Sequence, residues 1–165
     1  MPKKSMIKEY FNHLQEYVKI YGEKTILLWQ CGSFYEVYGL KDKHGNISGS
    51  KIVEFANILE IIVADKKNFI EDDGVKKGVI MAGNGTVVPL EKYVPKLNNA
   101  GYTVVVWNEI GDDPIYGGKE RKEMGVFSVG TNFDIPTKQI TNNISCIWIE
   151  RFKESIIQKT PRIFF

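Results

Sequence analysis

The chain has 165 residues, 43% hydrophobic and 25% charged, with a formal net charge of +2. That length suits one domain of ordinary size with a piece of a second, and the composition can build a core. The mild charge neither identifies nor excludes a nucleic-acid surface. No apolar run approaches the ~18 residues of a membrane span.

Residues 6 to 21 carry the clearest helical pattern. Ile7, Tyr10, Phe11, Leu14, Tyr17, Val18 and Tyr21 form one apolar stripe, with Ser5 to cap its start and Gly22 its end. Thr25 to Cys31 is β-branched and aromatic and is expected to be a buried strand. Gln30-Cys31-Gly32-Ser33-Phe34-Tyr35-Glu36-Val37-Tyr38-Gly39 follows, and the rest of the chain is organised around it. Gly32 permits a tight change of direction. In an extended segment Tyr35 points into the core and sends Phe34 and Glu36 together to the other face. An aromatic plate beside a carboxylate at a strand end can stack on a flat ring and hydrogen-bond its edge. The plainer expectation for such aromatics is core packing.

Lys41 to Asn46 is a polar turn cluster, residues 50 to 59 fit a short helix, and Glu60 to Ala64 is expected to be a strand. Asp65 to Lys77 is expected to be an exposed loop. Its lysines Lys66, Lys67, Lys76 and Lys77 are placed to contact phosphates, or simply to be solvated among Glu71, Asp72 and Asp73. Val79 to Gly83 is a buried strand, and Asn84-Gly85-Thr86 turns the chain. Leu90, Tyr93, Val94 and Leu97 predict a helix from about Pro89 to Ala100, kinked or shortened by Pro95. Tyr102 to Trp107 and Met124 to Val129 are further strands around an irregular loop at Gly111 to Gly118. The chain turns polar at Gly130 to Asn143, resumes a strand at Ile144 to Ile149, and ends on Arg162-Ile163-Phe164-Phe165, as if cut within a following domain.

Cys31 and Cys146 sit in apolar runs and are expected to be buried thiols in a reducing, intracellular compartment. His13 and His44 lack ligand-spaced partners, so no metal site is expected. No phosphate-binding Gly-rich loop, nucleophile elbow or zinc signature occurs. Asp72, Asp73, Asp112 and Asp113 are paired loop acids that a small Mg²⁺-dependent nuclease would use, but nothing else in the sequence converges on them.

The ordered pieces resemble the N-terminal, mismatch-recognition domain of the MutS family of DNA mismatch repair proteins. The resemblance rests on Gly32-Ser33-Phe34-Tyr35-Glu36 and Val79-Ile80-Met81-Ala82-Gly83, then the helix with Glu91, Tyr93 and Leu97. Gly101-Tyr102-Thr103-Val104-Val105-Val106, Arg121 and Gly125 to Thr131 complete it. It runs from about residue 5 to 133. Tyr21-Gly22-Glu23-Lys24-Thr25 is most similar to the branch in large DNA viruses and octocoral mitochondria. The resemblance implies an α/β (α+β) fold, a mixed β-sheet flanked by helices, over 1–135. A linker at 136–143 and the truncated start of an RNase H-like connector domain at 144–165 would follow.

It also implies a non-catalytic domain that binds double-stranded DNA carrying mismatches or small loops. Phe34 would enter the minor groove and stack on the mispaired base while Glu36 accepts a hydrogen bond from it, with Lys66 and Lys67 as further DNA contacts. ATP and Mg²⁺ would belong to other segments of a longer, dimeric protein, working in nucleus, viral factory or mitochondrion. Glu36 beside phosphates acts as an expected filter, its repulsion offset only where a displaced base offers a donor or the carboxyl takes a proton. The chain departs from the family pattern at Ala64-Asp65-Lys66, Asn84-Gly85-Thr86-Val87, Asn108-Glu109 and Ser128-Val129-Gly130-Thr131. The first change removes an expected phosphate contact. An interaction module that keeps the fold without specific DNA contact is the alternative these changes leave open.

Overall fold

The computed structural model describes residues 5–72, 74–85, 90–114 and 117–130. The linker, the strand at Ile144 to Ile149, Cys146 and the apolar tail read from the sequence lie outside the described residues, as do Asp73, Pro89 and Thr131. The described residues fall within one compact unit, Met1–Ile135.

Helix α1 (Met6–Tyr21) is followed by β1 (Thr25–Cys31), β2 (Phe34–Lys41), the short β3 (Ile47–Ser48) and α2 (Ile52–Leu59). Then come β4 (Ala64–Asp72), β5 (Val75–Gly85), α3 (Leu90–Asn99), β6 (Thr103–Asp112) and β7 (Lys119–Phe127). The strands make one mixed seven-stranded sheet in the order β4-β5-β2-β1-β6-β7, with β3 beside β2. Only β1 and β6 run parallel, Thr25 opposite Thr103 through Trp29 opposite Trp107; the other pairs are antiparallel. The α/β reading is therefore correct.

Central β1 is buried on both faces, so it is a nearly unbroken apolar run rather than an alternating one. Ile26 and Leu28 face the side packed by Phe55 of α2 and Leu97 of α3. Leu27 and Trp29 face the side packed by Ile7, Tyr10 and Leu14 of α1. On that second side Tyr10 meets the rings of Trp29 and Tyr38 edge-on, at centroid distances of 5.9 and 4.9 Å.

Several expectations are corrected. Asp65 to Lys77 is not a loop but most of the β4–β5 hairpin, turning at Gly74 with φ 74°. Most of its charges flank Phe69 and Ile70 on β4, an outer strand, where water reaches most side chains and a polar pattern is compatible with pairing. Residues 60 to 63 are not the expected strand, which begins only at Ala64: Glu60 adopts a left-handed conformation and ends α2, its N–H bonding Ala56 O. Asn84 and Gly85 continue β5 because Tyr35 and Phe34 pair with them. Strands β6 and β7 extend into the expected loop at 111–118 by pairing Asp112 with Lys119. Pro95 does not end α3, which continues to Asn99. Its missing N–H would have bonded residue 91, one turn inside the helix start, so a single bond is lost.

Candidate functional site

Cys31 pairs with Phe34, leaving Gly32 and Ser33 as a two-residue hairpin turn at the end of the sheet. Gly32 has φ 58° and Ser33 has no positive φ, the pattern of a type II′ turn. A Cβ on Gly32 would meet nothing within 4 Å, so glycine is needed for the backbone conformation and not for room. Beyond the turn the strand alternates. Tyr35 is buried against the α2–α3 side, and its hydroxyl donates to Asn108 Oδ1 at 2.8 Å. Phe34 is 51% exposed at the tip, a large ring in water beside residues packed as core. Period two puts Phe34, Glu36 and Tyr38 on the α1 side.

Glu36 is 8% exposed, the only buried charged residue among those described. Lys66 Nζ lies 2.7 Å from its Oε2, and the Tyr38 hydroxyl donates to the same oxygen. The Lys66 ammonium also sits 4.8 Å from the centre of the Tyr38 ring. Gly83 faces Glu36 across β2 and β5, where a Cβ would come within 3.2 Å of Glu36 Cγ; the missing side chain leaves room for the carboxylate stem. Burial, followed by the neighbouring Cys31 and Glu36, raises the Tyr38 phenol far above its ordinary range. It remains a donor at any physiological pH.

A second ion pair braces the turn. Arg121 on β7 donates from Nε to Gln30 O at 2.7 Å and from Nη2 to Glu109 Oε1 at 2.7 Å. Its guanidinium lies 5.3 Å from the Trp29 ring centre. Gln30 in turn donates from Nε2 to Gly32 O at 3.1 Å and accepts from the Glu109 N–H at 2.9 Å. Cys31 joins the two pairs: its sulfur is 3.2 Å from the Tyr38 hydroxyl and 3.7 Å from Arg121 Nη2. Burial pushes its thiol pKa up, against a smaller opposing effect of the Tyr38 hydrogen bond.

The structure thus brings Phe34, Glu36 and Lys66 together. Lys67 is exposed on the same strand as Lys66. Sequence reasoning missed Tyr38, Gln30 and the bracing role of Arg121. Tyr38 was accessible to it, standing two residues beyond Glu36 on a strand of period two. The Arg121 contact joins positions 91 apart in the chain and has no local signal. Two of the nuclease reading's four acids are engaged in ion pairs: Asp72 with Lys77 at 2.7 Å and Asp112 with Lys119 at 2.6 Å. Among the described residues no three His, Cys, Asp or Glu side chains converge to hold a metal ion. No helix among the described residues is long and apolar enough to cross a membrane.

No family model matches the chain. A protein of Acanthamoeba polyphaga mimivirus named "Putative DNA mismatch repair protein mutS homolog" is 31% identical over 157 residues, which is 95% of this chain. The chain spans 13% of that relative's length.

Proposed function

Because this chain belongs to the MutS family of DNA mismatch repair proteins, we propose that it is the DNA-reading, non-catalytic part of a longer mismatch repair protein. Phe34 is the wedge. The observation that carries this reading is the half-exposed Phe34 ring, held by a braced two-residue turn while the next residue is buried. Ring exposure of this kind loses apolar burial, and a partner that stacks on the ring restores it. Inserting an apolar wedge from the minor groove unstacks a base step and kinks the duplex. Unstacking costs a few kcal/mol, least where pairing is already defective, so deformability provides the discrimination. Glu36 then accepts a hydrogen bond from the displaced base. Lys67 and neighbouring cations contact phosphates. ATP hydrolysis and dimerisation belong, in this reading, to segments outside this chain.

Fluorescence anisotropy of the chain with a G·T or one-base-bulge duplex against its matched twin tests the reading. The defect duplex should bind about tenfold more tightly, and Phe34→Ala should erase that difference while leaving the salt-dependent affinity for matched DNA. Equal affinity for the two duplexes, unmoved by Phe34→Ala, would sink it.

A second reading, an interaction module without specific DNA contact, draws on one observation. Lys66, the cation nearest the motif, is already paired with Glu36. It predicts that DNA binding is absent even at low salt.

A further inference from the structure

We propose that Lys66 is a specificity-determining residue: the exchangeable counter-ion of Glu36. It holds the carboxylate neutralised in the DNA-free protein and passes to a backbone phosphate when a displaced base takes its place at Glu36. The inference rests on reading Phe34 and Glu36 as the mismatch-reading pair.

The geometry has three parts. First, the Glu36 side chain is only 10% exposed, so it cannot swing into water to avoid approaching phosphates. Left bare, it would be a buried negative charge facing a polyanion, opposed by desolvation and by Coulomb repulsion. The Lys66 ammonium at 2.7 Å removes both objections in the free protein.

Second, Lys66 is held loosely enough to leave. Its side chain is 29% exposed, and its partners are one carboxylate oxygen, the Tyr38 hydroxyl at 3.4 Å and the Tyr38 ring. A lysine on a flexible four-carbon stem is a point charge with no fixed fork, so it can exchange one anion for another. It stands on β4, the outer strand of the sheet as described.

Third, both Lys66 and Tyr38 bind Glu36 at Oε2. Among the described residues Oε1 has no hydrogen-bond partner. When Lys66 leaves, the permanently protonated Tyr38 still holds Oε2, and the carboxylate stays aimed with Oε1 open to a donor. A matched duplex offers no displaced base, so Lys66 remains on Glu36 and the phosphates lose one contact. A defect supplies the donor and frees the lysine, so two interactions form together. Discrimination arises from this coupling, not from either contact alone.

A four-member set tests it by anisotropy on matched and defect duplexes over a range of salt: the unaltered chain, Lys66→Gln, Glu36→Gln, and both changes together. Lys66→Gln should weaken defect binding about fivefold and lower the salt slope on defect DNA by about one, but weaken matched binding only about twofold, since there it bares Glu36 without breaking a phosphate contact. Glu36→Gln should free Lys66 on every duplex and tighten matched binding about fivefold, and that gain should vanish when Lys66 is also replaced. Lys66→Arg, which keeps the charge but replaces the point charge with a planar fork, should recover only part of the discrimination. Thermal melting confirms that each variant folds. Equal weakening on both duplexes by Lys66→Gln, or a Glu36→Gln gain that persists without Lys66, overturns the exchange. Phe34→Ala separates the two failures. Discrimination that depends on Phe34 with no Glu36–Lys66 coupling sinks the exchange alone, whereas discrimination indifferent to Phe34 sinks the reading of the site beneath it.

Discussion

Two carboxylate–cation pairs sit at the motif end of this sheet, joined through Cys31, and they are built for opposite purposes. Arg121 and Glu109 expose only 7% and 15% of their side chains. The guanidinium spreads its donors over Glu109, Gln30 O and Lys119 O, so several strands are tied at once. Lys66 and Glu36 are the reverse. The carboxylate is buried, the ammonium is partly in water, and the lysine holds a single side chain's oxygen and its neighbouring phenol. A planar fork that satisfies several acceptors cannot leave without orphaning all of them, whereas a point charge can be replaced by another. A rigid turn and a changeable charge thus stand side by side, the first fixing where Phe34 points and the second what Glu36 accepts.

The sharpest way to break this comparison is to remove the cation from each pair and compare stability. Arg121→Met strands the buried Glu109 carboxylate and the Gln30 carbonyl, and should lower folding stability by about 3–5 kcal/mol. Lys66→Gln removes the charge beside a carboxylate as buried as Glu109 but leaves it the Tyr38 hydroxyl and an amide donor, and should lower it by less, about 1–2 kcal/mol. Urea unfolding of the two variants measures both. Equal losses would mean that Lys66 is as structural as Arg121 and not free to exchange.

A smaller effect sharpens the bracing half. Gly32→Ala fits sterically but forces an L-residue to φ 58°, at about 1–2 kcal/mol. If Arg121 and Gln30 hold the turn, the alanine variant should keep the type II′ conformation and show the strain as lost stability. If they do not, the turn should relax, and Phe34-dependent discrimination should fall with little loss of stability. Denaturant unfolding together with anisotropy on defect duplex separates the two.

Much of this arrangement was legible in the sequence, and the missing part has one physical cause. The α1 stripe, the apolar β1 run and the Gly32 turn are local patterns, and each is where the periodicity put it. Tyr35 in the core with Phe34 outside follows from strand alternation alone. The sequence-based reading of Asp65 to Lys77 failed because an outer strand, paired on one side and wet on the other, has the composition of a loop. With β4 hidden, Lys66 looked like one of four equivalent surface lysines. Only the placement of β4 next to β5, itself beside β2, lets its side chain reach Glu36. Likewise Arg121 stood in the resemblance as a single residue, and its contact with Gln30 exists only because β6 lies between β1 and β7.

The least change is expected on the bracing side, where α1 is tied to the strand that carries Arg121. The Tyr17 hydroxyl donates to the Glu123 carboxylate and accepts from Trp107 Nε1 at 3.1 Å. Burial, and then the Glu123 hydrogen bond, raise its pKa from 10.0 to about 12. A phenol whose pKa is higher folded than unfolded binds its proton more tightly in the native state. Its contribution is therefore complete below about pH 10 and lost as pH rises towards about 12. Burial also raises Tyr35 and Tyr93, so they too contribute stability that is lost only as pH rises above about 10. Tyr17→Phe cannot ionise. It should be less stable than the parent at neutral pH, yet lose less between about pH 10 and 12, so the two unfolding curves converge. Parallel losses would show that Glu123 does not hold the Tyr17 proton, and the tie between α1 and β7 would then be one of packing alone.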